Sequence, residues 1–332
     1  MKNRERIGKI VSMWLLTMAL ATSISVWLIV FPEEEWGNIN GLTSIWIFAI
    51  ALFVGSTVAI ISMMYIRVFR ETPSTLTISV LGYPNSGKTV YLTVLFNELL
   101  SNAAHDKISF VPYGSETMER VLIDYGKLKD GHWLTPTPSE GVFYYRAAAS
   151  FSKYRKYKLE IGDYAGEKFK EELKENNNFF HKTEYFQYVI SSDIVFLAVD
   201  TELVLVNWND GQYITNVENS FISALALMQA SKNMGFNKQI KFPVALIFLK
   251  SDLLKDFSQK LNLDNMESQE LPELILEKFR RIIGYCNKNC IHYKHFFVSS
   301  TGTSDIEHLE GEIIPQGVVK PVEWSIQKHH AW

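Results

Sequence analysis

This chain of 332 residues has little cysteine, little charge and no excess of positive charge. Its two cysteines, Cys286 and Cys290, exclude a disulfide framework as the source of stability. Charged residues make up 21% and hydrophobic residues 47%, which excludes a disordered or solvating chain. A formal net charge of -3 argues against nucleic-acid binding through bulk positive charge, and no nucleic-acid partner is expected. Internal repeats and low-complexity tracts are absent. The charge that is present is unevenly spread. Residues 1–70 hold six of the 33 Lys and Arg and four of the 36 Asp and Glu, leaving 27 against 32 in residues 71–332.

Two apolar runs carry no charge: Ile10 to Phe31, 22 residues, and Leu42 to Ile66, 25 residues. A membrane-spanning helix needs about 20 apolar residues, and a buried core helix rarely runs so long. Residues 1–70 therefore read as a two-helix transmembrane hairpin with spans over 10–31 and 42–66. A removable signal ending at Ala19-Leu20-Ala21 competes for the first span, but the apolar run continues for ten residues beyond it. Four positive side chains precede the first span and two follow the second, while the connection carries Glu33, Glu34 and Glu35 and no Lys or Arg. By the positive-inside rule both termini are cytoplasmic, and the chain is a multi-pass protein of the cell's inner membrane with the lipid bilayer as a partner. Trp27, Trp36 and Trp46 fall near the outer interface, where indole rings settle. The spans hold no Asp, Glu, Lys, Arg or His, so an ion pathway through them has little support.

From Pro73 onward short β-rich runs alternate with helical patterns, the mark of an α/β fold. The periodicity predicts strands near 75–81, 141–151, 157–163, 192–200, 242–250 and 294–299, in a mainly parallel six-stranded sheet. Helices are predicted near 88–100, 116–129, 167–174, 182–190, 217–233, 271–287 and 321–329. The strands at 141–151 and 157–163 have no helix between them and should form an antiparallel hairpin. The stretch 101–140 is long for a connection and should hold a helix of its own. Residues 71–332 are thus read as one cytoplasmic domain.

The chemistry is concentrated where the first strand ends. Gly82-Tyr83-Pro84-Asn85-Ser86-Gly87-Lys88-Thr89 is G-x-x-x-x-G-K-[ST] between a strand and a helix, the signature of a P-loop NTPase domain. The glycines let the backbone N–H groups, those of Asn85 and Ser86 among them, close on a β-phosphate, and the helix directs its positive end there. Lys88 neutralises β and γ oxygens, and the Thr89 hydroxyl ligates Mg²⁺. A second element is Asp163-Tyr164-Ala165-Gly166-Glu167, at the end of the strand YKLEIGD. An acid at a strand end can hold the metal through water, and the Gly166 N–H can meet the γ-phosphate. The third is Leu249-Lys250-Ser251-Asp252, after a wholly apolar strand. The Asp252 carboxylate can accept two hydrogen bonds from guanine N1 and N2 while the Lys250 stem packs on the base, which argues for GTP over ATP. An ordinary capping Asp is the competing reading. Last, the backbone N–H groups of Ser299, Ser300 and Thr301 could meet guanine O6.

These four elements, in this order, resemble the motifs of the Ras-like GTPases of the translation-factor-related class over about residues 75–301. The resemblance implies that Lys88 and Thr89 bind phosphate and Mg²⁺, that Asp163 and Gly166 form the second switch, and that Asp252 reads guanine. It places the first-switch threonine, a metal ligand and catalytic element, at Thr137, with Thr135 as the alternate. Leu249 stands where these proteins carry Asn or Thr, and Glu167 where many carry a water-orienting Gln. GYPNSGKTVYL, the insertion ending HWLTPTP and the segment PQGVVKPVEWSIQ resemble the bacterial double-GTPase family of genome-conflict operons. The layout, an anchor before a GTPase domain, also resembles the signal-recognition-particle receptor β subunit.

The implied function is a membrane-anchored protein that hydrolyses GTP to GDP and switches an unidentified protein effector, with a second GTPase and another copy of this chain as the candidates. A non-hydrolysing nucleotide-binding scaffold and an ATPase are the alternatives, supported by Glu167 and Leu249. Arg146 is the arginine near enough in sequence to the switch to be tested as a catalytic finger. Cys286, Cys290, His292 and His295 could be drawn as a metal site, but the resemblance implies that they fall across a helix end and a strand and point different ways. The topology has a direct check: protease added to intact cells should leave residues 71–332 uncut, and cleavage of that domain without opening the cells would reverse the orientation.

Overall fold

The computed structural model describes residues 56–57, 74–101, 109–112, 114–135, 142–152, 155–164, 184–232, 239–254, 270–302 and 313–330. The chain divides into two compact units, Met1–Thr72 and Pro73–Trp332. Of the first, Ser56 and Thr57 are described and are helical; the rest of the two expected spans lies outside the described residues. Among the described residues no helix is long and apolar enough to cross a membrane.

The second unit is built on a seven-stranded mixed sheet in the order β2-β3-β4-β1-β5-β6-β7. Its strands are β1 (Ser74–Gly82), β2 (Ser109–Pro112), β3 (Val142–Ser152), β4 (Arg155–Tyr164), β5 (Ile194–Asp200), β6 (Val244–Leu249) and β7 (Tyr293–Phe297). β4, β1, β5, β6 and β7 run parallel, with Ile78 opposite both Ile161 and Ile194. The helices are α1 (Lys88–Ser101), α2 (Ser115–Lys129), α3 (Glu184–Ser191), α4 (Thr201–Val206), α5 (Gly211–Ser231), α6 (Glu270–Lys278), α7 (Arg280–Asn289) and α8 (Lys320–His330).

The alternation of strand side chains sends the core to two faces. Ile194, Phe196 and Ala198 of β5 with Ala245 and Ile247 of β6 pack toward Leu92, Leu95 and Phe96 of α1 and Val322 and Ile326 of α8. Val195, Leu197 and Val199 with Val244, Leu246 and Phe248 face Phe221 and Leu225 of α5 and Ile282 of α7. Every residue of β5 and β6 is buried, as expected of central parallel strands covered by helices on both sides.

The antiparallel β3–β4 hairpin forms as the pattern predicts, with Arg146 opposite Glu160 and Phe143 opposite Asp163. The helix expected within 101–140 is α2. The sheet has one strand more than the six expected. β2 is a four-residue edge strand whose Phe110 pairs with Ala149 of β3, too short to show a period of its own. The expected helix 271–287 is two helices that meet at Phe279, and α4 follows β5 directly. The helix expected at 167–174 lies outside the described residues.

The break at Phe279 has a distant cause. Phe279 supplies no side-chain cap, and the buried Glu218 carboxylate of α5 accepts hydrogen bonds from the first-turn N–H groups of Arg281 at 2.9 Å and Ile282 at 3.0 Å. A carboxylate at a helix N-terminus satisfies orphan donors and opposes the helix dipole. Glu218→Ala should therefore cost about 1–3 kcal/mol in denaturant unfolding, because the buried Ile282 N–H and the part-buried Arg281 N–H lose their acceptor. Glu218→Gln, which keeps an acceptor oxygen, should lose less; equal losses would refute this capping role.

Candidate functional site

The parallel strands deliver the chain to one edge of the sheet, and the loop after β1 is built there. Gly82 is a glycine because β5 leaves no room: an added Cβ would stand 2.7 Å from the Ala198 carbonyl oxygen. Asn85 and Gly87 both take left-handed backbone, with φ of 60° and 85°. Gly adopts this freely, and Asn is among the residues that tolerate it best. The loop closes into α1, whose first turn includes the bond from the Tyr91 N–H to the Gly87 carbonyl at 2.9 Å. The buried Lys88 ammonium donates to the Gly82 carbonyl at 3.0 Å, the Tyr83 carbonyl at 2.7 Å and the Ser86 hydroxyl at 3.2 Å. Tyr83 is itself moored to α5, its hydroxyl 2.7 Å from that of Ser220.

Thr89 faces out of the first turn of α1 toward the end of β4. Its hydroxyl lies 3.1 and 3.3 Å from the two carboxylate oxygens of Asp163, a residue 74 positions away and 1% exposed. A hydroxyl and a carboxylate brought together beside a phosphate-type loop form an all-oxygen donor set that suits a hard divalent cation such as Mg²⁺. The next residue, Tyr164, is held by its hydroxyl 3.0 Å from that of Tyr144.

The third element lies after β6. Lys250 has φ 58° and donates to Asp200 at 3.0 Å and Glu202 at 2.7 Å. Its stem passes the loop, its Cε being 3.7 Å from where a Cβ on Gly87 would stand. Asp252 accepts a hydrogen bond from the Ser299 hydroxyl at 2.6 Å, and that hydroxyl accepts from the Gly302 N–H at 2.9 Å. The Ser299 N–H, expected to face a base, instead donates to the Gln316 carbonyl at 3.1 Å. Ser300 follows it in the same turn, half-buried.

A family model, Double-GTPase 2, matches residues 76–312, a span that begins in β1 and contains all four elements. The chain belongs to the Double-GTPase 2 family. It is a P-loop GTPase of the double-GTPase type. No curated protein matches it. Among solved structures, it is similar to the bacterial selenocysteine-specific elongation factor EF-Sec at 15% identity and TM-score 0.34, covering 78% of this chain and 29% of that one. It is similar to the signal recognition particle receptor SRb-GTP/SRX complex from Chaetomium thermophilum at 13% identity and TM-score 0.38, covering 77% of this chain and 98% of that one. The chain thus spans under a third of the length of the elongation factor.

Within this double-GTPase, Gly82, Asn85, Ser86, Gly87, Lys88, Thr89 and Asp163 come together at one end of β1 and β4, and Lys250, Asp252 and Ser299 at the ends of β6 and β7. Thr137, Gly166 and Glu167 lie outside the described residues. Thr135 is described and lines a groove along α2 with Glu116, Arg120 and Asp124. Arg146 donates from its Nε to Glu160 at 2.9 Å on the hairpin, forming a partly exposed ion pair. Cys286 and Cys290 sit buried one helical turn apart, and their mutual hydrogen bond together with burial pushes the Cys286 thiol far up.

Three groups escaped the sequence reading. Asp200 and Glu202 hold Lys250, and Gln316 holds the Ser299 turn through paired backbone bonds of 3.1 and 2.8 Å. The only signal for Gln316 was its place in PQGVVKPVEWSIQ, a segment with no chemical motif. If Asp252 reads guanine, Asp252→Asn turns an acceptor pair into a mixed donor and acceptor. GTP should then bind about 1.5–3 kcal/mol more weakly and xanthosine triphosphate better, by titration calorimetry. Wild-type protein that binds ATP as tightly as GTP would make Asp252 a turn residue only.

Proposed function

We propose that this chain is a membrane-anchored GTPase that binds GTP with Mg²⁺ at the loop 82–89, hydrolyses it to GDP, and thereby switches a protein partner at the inner membrane, in bacterial conflict or defence. The observation that carries the nucleotide reading is the approach of Thr89 to Asp163 at 3.1 Å beside a loop whose lysine is already folded beneath it. Thr89 and Asp163 would hold the ion, with Thr137 as a further ligand by the family resemblance. When bound, Mg²⁺ would supply positive charge that offsets the charge of the phosphate oxygens.

The remaining work falls to the chain's own groups. The Lys88 ammonium is within reach of the Gly82 and Tyr83 carbonyls, and rotation about its stem transfers it from them to phosphate oxygens. The left-handed residues Asn85 and Gly87 turn successive amides toward one point, which favours an anion there. By the resemblance, the Gly166 N–H meets the γ-phosphate and Glu167 accepts a hydrogen bond from the attacking water. By the same resemblance Glu167 brings negative charge toward an anionic group, and Arg146, the arginine nearest the switch in sequence, pairs with Glu160 through its Nε. Turnover by the isolated chain is therefore slow, and a partner, a second GTPase or another copy of the chain on the membrane, accelerates it. The membrane anchor rests on the two charge-free runs of residues 10–31 and 42–66.

Single-turnover hydrolysis of GTP by the full-length protein, with Lys88→Ala as the blank, tests the reading. The expected rate is on the order of 10⁻⁴ to 10⁻² s⁻¹, rising with surface density in membranes. A rate equal to the blank even at high density overturns hydrolysis and leaves a nucleotide-binding scaffold.

A further inference from the structure

Lys250 presents a puzzle that the binding motif alone does not explain. It is one of two described residues other than glycine with positive φ, a conformation that side chains with a Cβ rarely adopt. The left-handed turn carries its stem past Gly87 to the end of the neighbouring strand β5, where Asp200 stands opposite Leu249. There the ammonium ends between Asp200, at 3.0 Å, and Glu202, at 2.7 Å. The two carboxylates differ. The Asp200 side chain is 3% exposed and that of Glu202 54% exposed.

Asp200 is anchored in turn. It is the last residue of β5 and the N-cap of α4, where its Oδ1 accepts from the Leu203 N–H at 3.3 Å and leaves Oδ2 for Lys250. Burial raises the Asp200 carboxyl and the lysine opposes this, while Lys250, which burial alone would lower, is left raised by its two acidic neighbours. The ammonium therefore meets one buried carboxylate that its own cap bond already holds in place, and a charge-assisted hydrogen bond of this kind is short and strong. The stem of Lys250 is consequently fixed at both ends, by β6 at its Cα and by Asp200 at its tip.

We infer that Asp200 is a positioning residue for nucleotide binding: it pins Lys250 across the loop so that the lysine stem stands as a preformed wall for the flat face of the base, with Glu202 as a secondary anchor. This rests on the reading that the chain binds a guanine nucleotide. A wall formed in advance removes the entropy of ordering a long side chain at the moment of binding. It contacts the face of the base rather than its edge, so it serves affinity without discriminating exocyclic groups.

The test is the affinity of the full-length protein for GTP, GDP and inosine triphosphate, measured by displacement of fluorescent GDP. Asp200→Asn keeps the acceptor for the Leu203 N–H and removes the charge that holds Lys250. It should weaken all three ligands by about tenfold and leave the GTP to inosine triphosphate ratio unchanged. Lys250→Met should give the same loss, and the double variant no further loss, because the two side chains act as one unit. Wild-type affinity in Asp200→Asn, a changed ratio, or an undiminished effect of Asp200→Asn in the Lys250→Met background would each overturn the assignment. Should Asp200→Asn fail to fold, Glu202→Gln carries the same test with roughly a threefold loss, and unchanged affinity there overturns it. Wild-type protein without preference for guanine nucleotides would instead overturn the reading of the site on which this rests.

Discussion

Burial of β5 and β6 on both faces governs what the rest of the domain can do. From Ile194 to Asp200 and from Val244 to Leu249 no residue reaches solvent, so nothing along these strands is available to a ligand until they end. Polar side chains are tolerated where a strand stops and a cap or an ion pair satisfies them. Asp200, Lys250 and Asp252 stand at those stops, as Asp163 does at the end of β4. Because β4, β1, β5, β6 and β7 run parallel, their carboxyl ends lie on one edge, and the chemistry gathers there.

The two lysines at that edge are held in contrasting ways. Lys88 is wrapped by neutral acceptors from its own loop, Gly82, Tyr83 and Ser86, all within six residues of it. Neutral dipoles hold an ammonium without fully cancelling its charge, which leaves it available to an anion. Lys250 is held by two carboxylates from β5 and α4, some 50 residues away, which cancel its charge and spend it on position. One lysine is kept for charge and the other for its carbon stem.

Much of this was legible from local pattern. The loop 82–89, the apolar runs of β5 and β6, the β3–β4 hairpin and α2 all follow from residues close together in sequence, where turn preference and periodicity operate. The misreadings are equally specific. β2 is a strand only because Phe110 meets Ala149 on β3. The helix over 271–287 breaks at Phe279 because Glu218, on another helix, supplies the acceptors a new N-terminus needs. The Ser299 amide donates to Gln316, a partner 17 residues on that no local pattern announces.

By itself, then, the sequence determined most of the strands and helices, where the glycine-containing loop lies, and that an acid stands at or just after the ends of β4 and β6. Those are consequences of residue type and spacing, which need no partner from elsewhere in the chain. Only the tertiary structure decided which acid serves which neighbour: Asp163 beside Thr89, Asp200 beneath Lys250, and Ser299 donating to Asp252. Strand order and register set these pairs. Register depends on burying whole faces of a seven-stranded sheet at once, a condition that no short stretch of sequence can express.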